Sequence, residues 1–367
     1  MRAQRFHGGF SLLIGLALGT LVLGAGALPA KAGPLDALFA PKAAQGERWE
    51  AFDPDSKIRV KHLVWARFLA RYVELGPDGI NRVAYHKVTE ADRAMLENYL
   101  AALGQTSVKA LNRDEQLAYW INFYNALTVK VVLDHYPVAS IRDIDISPGL
   151  FADGPWDAAL VSVDGAALSL NDMEHRILRP IWKDARVHYA INCASIGCPN
   201  LQTFAFEGDK IDAMLEEVTA EYVNHPRGVA IENGKLIVSS IYSWFEADFG
   251  GEEGVLKHIR ATAGPALKER LADVRSIDGD AYDWSLNDVA AYEAATSGLV
   301  PPPDGHRETV GALVESMLTT DAAYDEIVAA VRERFPDAKT TSRSVASVAS
   351  AMRRRGVEVP HRRGARE

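Results

Sequence analysis

The residues most able to do chemistry are concentrated in VHYAINCASIGCPNL, residues 187–201. This stretch holds both cysteines of the 367-residue chain, Cys193 and Cys198, with His188 upstream, Gly197 between them and Pro199 directly after. Three chemistries fit these residue types: a catalytic thiol with its base, a small disulfide loop, or half of a metal site. If 187–193 is a regular strand, His188, Ala190 and Asn192 face one way and Val187, Tyr189, Ile191 and Cys193 the other. A His188–Cys193 dyad then fails without a bulge. Cys198 lies beyond the strand, in a loop that Gly197 and Pro199 bend back toward His188, while His175 or His258 is an alternative base for Cys193. Against any dyad stands a Cys193–Cys198 disulfide, whose short ring contributes only ~2 kcal/mol in the chain-entropy model. Zinc on His175, His188, Cys193 and Cys198 matches none of the usual spacings, so neither a metal nor another cofactor is expected.

Three further constellations carry polar groups among apolar ones. In WINFYNA (120–126), Asn122 and Asn125 share a helix face beside Tyr124. Buried amides must be hydrogen-bonded, so the two asparagines either pin neighbouring backbone or line a pocket. Glu174 and His175 sit next to Arg176 and Arg179 in LNDMEHRILRPIW. Adjacent residues of an α-helix point about 100° apart, so Glu174 and His175 are not expected to act on one atom. SSIYSWFEADFGG brings Tyr242, Trp244, Phe245 and Asp248 together after a hairpin. Such aromatics wall a pocket or pack over a sheet, and Asp248 can orient a histidine.

These residues need positioning, and the periodicities supply candidate elements. Residues 58–103 read as two amphipathic helices around a Gly-Pro-Asp-Gly turn, with Thr89 and Asp92 capping the second. Residues 113–137 read as a long helix closed by Pro137. Asp-Gly in LVSVDGAALSL and Asn-Gly in VAIENGKLIVSS mark two hairpins. LNDMEHRILRPIW reads as a short helix with Asn171 and Glu174 at capping-box spacing, stopped by Pro180, and DKIDAMLEEVTAEYVNH as an amphipathic helix. The expected class is α+β, a helical first half packed on a small mixed or antiparallel sheet. A Pro-rich linker (296–305) then leads to a small three-helix module with a basic tail (306–367).

The start of the chain bears on the thiols because it sets their compartment. Arg2 and Arg5 precede an apolar run from Phe10 to about Leu23 and an Ala30-Lys31-Ala32 site, which read as a secretory signal peptide over 1–32. The mature domain then covers 33–295 and is periplasmic or secreted, with no transmembrane span after cleavage. A formal net charge of -9 argues against a nucleic-acid footprint. The C-terminal module is helix-turn-helix-like, but in an exported chain it is read as a protein-binding piece.

The ordered succession LAYWINFYNAL, LSLNDMEHRILRP, VHYAINCASIGCPNL, IYSWFEADFG and YDWSLN, from Val60 to Asn287, resembles the uncharacterised DUF 547 family. The resemblance implies that Asn122, Tyr124, Asn125, Glu174, His175, His188, Asn192, Cys193, Cys198, Pro199 and Asp248 are characteristic positions. The order of elements is also loosely similar to papain-like and transglutaminase-like cysteine enzymes, although the long helix here offers asparagine where their nucleophile stands. The expectation is a cysteine-dependent hydrolase or acyl transferase acting on a peptide-like or small amide substrate. Cys193 or Cys198 is the nucleophile, His188 or His175 the base, with Glu174 and Asp248 beside them, and Asn122, Tyr124, Asn125, Asn192, Tyr242 and Trp244 on the substrate side. The alternative is a non-catalytic envelope binding protein closed by a Cys193–Cys198 disulfide.

Overall fold

In the first half of the chain, apolar residues at helical spacing fold inward as three helices. α1 (Leu63–Tyr72) buries Trp65, Phe68, Leu69 and Tyr72. It runs into a short hairpin, β1 (Val73–Leu75) and β2 (Asn81–Val83), around the Gly-Pro-Asp-Gly turn. α2 (Glu90–Gly104) is capped as expected, Thr89 accepting from the Asp92 backbone N–H. α3 (Arg113–His135) opens on Asn112, which accepts from the Glu115 N–H, and carries Asp114 and Glu115 at its positive end. From Leu117 to Val129 every residue of α3 is buried. A helix covered all round is the axis of the core, so its polar residues must find partners inside the protein.

The described residues are 46–148, 154–297 and parts of 313–360 of a computed structural model. The signal-peptide reading at 1–32, nearly all of the 296–305 linker and most of the basic tail lie outside them. Within them the chain is α+β with small sheets. The hairpin β3 (Val161–Val163) and β4 (Ala166–Leu168) turns on Asp164 and Gly165, with φ of 47° and 75°. A turn with φ positive at both central residues matches the twist of the flanking strands.

The segment after β4 departs from expectation in two ways. Asp172–Leu178 winds as a π-helix, and α4 (Arg179–Trp182) continues from it. Pro180 therefore does not stop the helix. It sits at the start of α4, where a missing N–H costs little. The cap is also two residues earlier than predicted. Ser169 and Asp172 exchange hydrogen bonds at the helix opening, while the Asn171 amide donates to Asp157.

The strand predicted at 187–193 is not formed. Val187–Ala190 is a single helical turn, α5, and the chain becomes extended only from Ile191. The alternation that placed His188 and Cys193 on opposite faces therefore does not apply. Nor is the papain-like arrangement borne out, since the histidine stands on a helix and not on a strand.

α6 (Ile211–Val223) leads to β5 (Val229–Glu232) and β6 (Lys235–Ser239), joined by Asn233 and Gly234 at φ 50° and 77°. Two one-turn helices, α7 (Ser240–Trp244) and α8 (Glu246–Phe249), follow, then α9 (Gly251–Thr262) and α10 (Pro265–Arg270). β7 (Gly279–Ala281) joins β6 in parallel and completes a mixed three-stranded sheet, before α11 (Val289–Thr296). One apolar core extends from Trp49 to Leu286. A separate cluster, Val314 to Val359, gathers around α12 (Tyr324–Arg334).

Candidate functional site

The asparagines of α3 act first, by holding the cysteine loop in place. The Asn125 amide donates to the Ala190 carbonyl at 2.9 Å and accepts from the Asn192 N–H at 2.8 Å. Asn192 in turn donates to the Pro199 carbonyl at 2.7 Å and accepts from the Ala194 N–H at 2.8 Å, drawing the two ends of the loop together. Asn122 clamps the Phe206 backbone in the same two-bond manner. These three amides are buried and bonded to backbone, and none lies on the cleft wall. Tyr242 is likewise buried, accepting from the Tyr189 hydroxyl.

The far side of the loop is held by YDWSLN. Ile196 and Gly197 donate to the carbonyls of Ser285 and Asp283, and Asn287 donates to Ala194. A Cβ on Gly197 would stand 2.8 Å from the Asp283 nitrogen and 2.9 Å from the Tyr282 ring, so this close approach requires glycine.

Held in this way, both cysteines face a cleft of about 320 Å³ lined also by Tyr124, Glu174, His175, His188, Trp244, Phe245, Tyr282 and Trp284. Both cysteines are free, so the disulfide of the alternative reading is not formed. Their closest approach is 2.6 Å, against about 2.05 Å for a bond. The Cys198 sulfur accepts the Cys193 backbone N–H at 3.0 Å and the Tyr282 hydroxyl at 3.2 Å. Tyr282 also lies 3.0 Å from the Cys193 sulfur and 2.8 Å from Ser195 Oγ. Burial opposes ionisation of Cys198, but the Cys193 thiol, Tyr282 and the Cys193 N–H outweigh it and bring the thiol down to about 7. Burial and the neighbouring sulfur push Cys193 up. The two thiols are thus pushed in opposite directions, Cys198 down and Cys193 up.

Opposite the thiols runs a chain of ionisable groups. Arg179 makes a two-pronged bond to Asp248, Nε at 2.6 Å and Nη2 at 3.1 Å, and its Nη1 donates to His175 Nδ1 at 2.9 Å. A guanidinium can only donate, so His175 Nδ1 accepts and its proton is on Nε2. Burial and the Arg179 charge hold His175 neutral, down to about 3. Asp248 Oδ2 lies 2.8 Å from His188 Nε2. Burial works against the Asp248 anion, yet the bonds from His188 and Arg179 hold it well below the carboxylate range. An ionised Asp248 accepts a hydrogen bond from the Nε2–H of His188, which leaves Nδ1 of the neutral ring bare, 3.7 Å from Glu174 Oε1. Burial lowers His188, and Phe245 stacks on its ring at 4.2 Å. Glu174, buried with Tyr124 donating to it at 3.3 Å, is raised by desolvation to about 7.

Glu174 and His175 both line the cleft but share no hydrogen-bond partner, Glu174 lying beside Tyr124 and His188 and His175 beside Arg179. Both stand on the π-helical turn, with its wider i→i+5 winding. Ser195, Tyr282 and Trp284 were not singled out from the sequence, and Arg179 was named only as part of a charged run. Arg179 stands four residues after His175, a helical-contact spacing that does signal the pair. Tyr282 has no local signal, because 84 residues separate it from Cys198. Among the described residues, no group of three or more His, Cys, Asp or Glu could hold a metal ion.

Residues 108–223 match the family model described as "Protein of unknown function, DUF547". This segment is similar to DUF547 domains. It contains α3, the π-helical turn and the cysteine loop, and so bears out the family resemblance over a narrower span than Val60–Asn287. Trp244, Asp248 and Tyr282 come from beyond the DUF547 match to complete the cleft. No curated protein and no solved structure matches the chain at a significant level.

Proposed function

We propose that the cleft is that of a cysteine-dependent hydrolase or acyl transferase acting on an amide-like substrate, with Cys198 as nucleophile. The observation that carries this reading is the set of donors on the Cys198 sulfur, which brings its thiol to about 7 at the wall of a cleft holding Glu174, His175 and His188. The Cys198 thiolate attacks the acyl carbon. Glu174, raised to about 7, gives its proton to the departing amine. The carboxylate then takes a proton from the water or amine that attacks the thioester, releasing the acyl group and restoring the thiolate. His175, neutral with its proton on Nε2, suits a donor to the developing oxyanion and not a base. His188, pinned by Asp248, serves Glu174 through its bare Nδ1. The leader-like residues 1–32 support export, and among the described residues no helix is long and apolar enough to cross a membrane.

The test combines thiol counting with thiol kinetics. Two free thiols before reduction are expected, one of them alkylated by iodoacetamide with an inflection near pH 7. Cys198→Ser removes that fast phase and lowers hydrolysis of p-nitroanilides and p-nitrophenyl esters at least about a thousandfold. Cys193→Ser keeps the fast phase. No free thiols before reduction, with turnover and ligand binding unchanged in Cys198→Ser, would overturn the reading and leave a disulfide-closed binding protein.

A further inference from the structure

The wall of the cleft beyond the thiols is a run of aromatic rings that the proposed reaction leaves unused. Trp244 and Trp284 stack at 5.5 Å, and each lies 4.7 Å from the Tyr282 ring. Trp156 meets Trp284 edge-on at 5.7 Å. All three indoles line the cleft and are only partly buried, so the rings pack on one another while leaving surface open to it. The run ends at the chemistry: the Tyr282 hydroxyl lies 3.0 Å from the Cys193 sulfur and 3.2 Å from that of Cys198.

We infer that this wall is a subsite for a planar aromatic ring, and that the preferred substrates are amides whose acyl part carries such a ring. The inference rests on the cleft being the substrate site. A sugar could also stack here, but its hydroxyls need partners, and beside the wall two polar groups are already committed while the unpartnered Nε1 of Trp284 is buried. Tyr282 is bonded to the thiols, and Asn171 donates to Asp157 at 2.7 Å. An aliphatic group gains the area term alone, whereas ring faces and edges presented together favour a guest that can stack or sit edge-to-face. With the ring on Trp244 and Trp284, Tyr282 bridges the distance between the bound group and the nucleophile.

Calorimetric titration of the full chain with N-acetylphenylalaninamide, N-acetylcyclohexylalaninamide and N-acetylglucosamine tests the subsite without requiring turnover. The phenyl compound is expected to bind saturably and at least about threefold more tightly than its cyclohexyl counterpart. Trp284→Ala should weaken it about tenfold, while Trp284→Phe, which keeps a ring and guards against misfolding of the alanine variant, should stay within about threefold. Equal binding of the cyclohexyl compound, tighter binding of the sugar, or no binding of any of the three overturns the inference. Cys198→Ser separates the two claims. Ring-selective binding retained in that variant, with no hydrolysis by the parent protein, sinks the reaction and leaves the subsite standing. Hydrolysis without ring selectivity does the reverse.

Discussion

Two residues on one π-helical turn have opposite protonation habits, and each follows from its immediate neighbours. His175 is held neutral by burial and the Arg179 charge; Glu174, in the same wall, is raised from 4.5 to about 7 by burial. That rise separates the ionised and neutral forms by about 3 kcal/mol. Between pH 4.5 and about 7 the folded state binds the Glu174 proton and the unfolded state does not. The contribution of this carboxyl to stability therefore falls as pH rises through that window. Glu174→Gln should match the parent protein near pH 4 and become more stable than it by up to about 3 kcal/mol by pH 8. Urea unfolding of both proteins across the range checks this, and taking the difference cancels the opposite trend from His175. A difference that does not change with pH would mean that Glu174 ionises normally. The same substitution should slow turnover, because glutamine cannot deliver a proton to a leaving amine.

At the scale of elements, the cysteine loop has its shape because α3 and the segment 283–287 grip it from two sides. Asn125→Leu leaves the Ala190 carbonyl and the Asn192 N–H buried without partners, at about 1–3 kcal/mol each. It should therefore lower stability by about 2–5 kcal/mol and also raise the inflection of the fast thiol. Asn122→Leu strips two comparable bonds from Phe206 and should cost similar stability while leaving the thiol inflection near 7. If both variants shift the thiol equally, the loop is not what Asn125 controls. The elements readable in the sequence were those whose signal is local. Asp164-Gly165 and Asn233-Gly234 marked their hairpins through the positive φ they adopt, and Thr89 marked the start of α2. The misread ones lack a local signal. α5 is four residues long, too short to show helical periodicity, and VHYAINC alternates like a strand by accident of composition. The π-helical winding at 172–178 likewise leaves no distinct pattern in DMEHRIL, which reads as an ordinary short helix. The cysteines, His188 and Asp248 could be named from residue type. Their grouping around Arg179 and Tyr282 could not, since it depends on contacts across 69 and 84 residues.

At the scale of the whole molecule, the cleft depends on one core and the C-terminal cluster on another. The first core runs from Trp49 to Leu286 and is closed by α11, where Arg82 of β2 lies over the Tyr292 ring at 3.9 Å. The second is gathered from Val314 to Val359 around α12, whose Ile327, Val328 and Val331 are its centre. A domain keeps its stability when a cut passes through chain that contributes to neither core. A chain ending at Ser297 retains every described residue of the cleft and of the first core, including the α11 contact to Arg82. It should unfold cooperatively within about 3 °C of the main transition of the full chain, given that 1 kcal/mol shifts a domain of this size by about 2–4 °C. Its fast thiol should keep an inflection near pH 7. Differential scanning calorimetry and iodoacetamide kinetics on the shortened chain measure the two quantities. A fall of 10 °C or more, or loss of the fast thiol, would show that the C-terminal cluster supports the cleft, and the two cores would then be one cooperative unit.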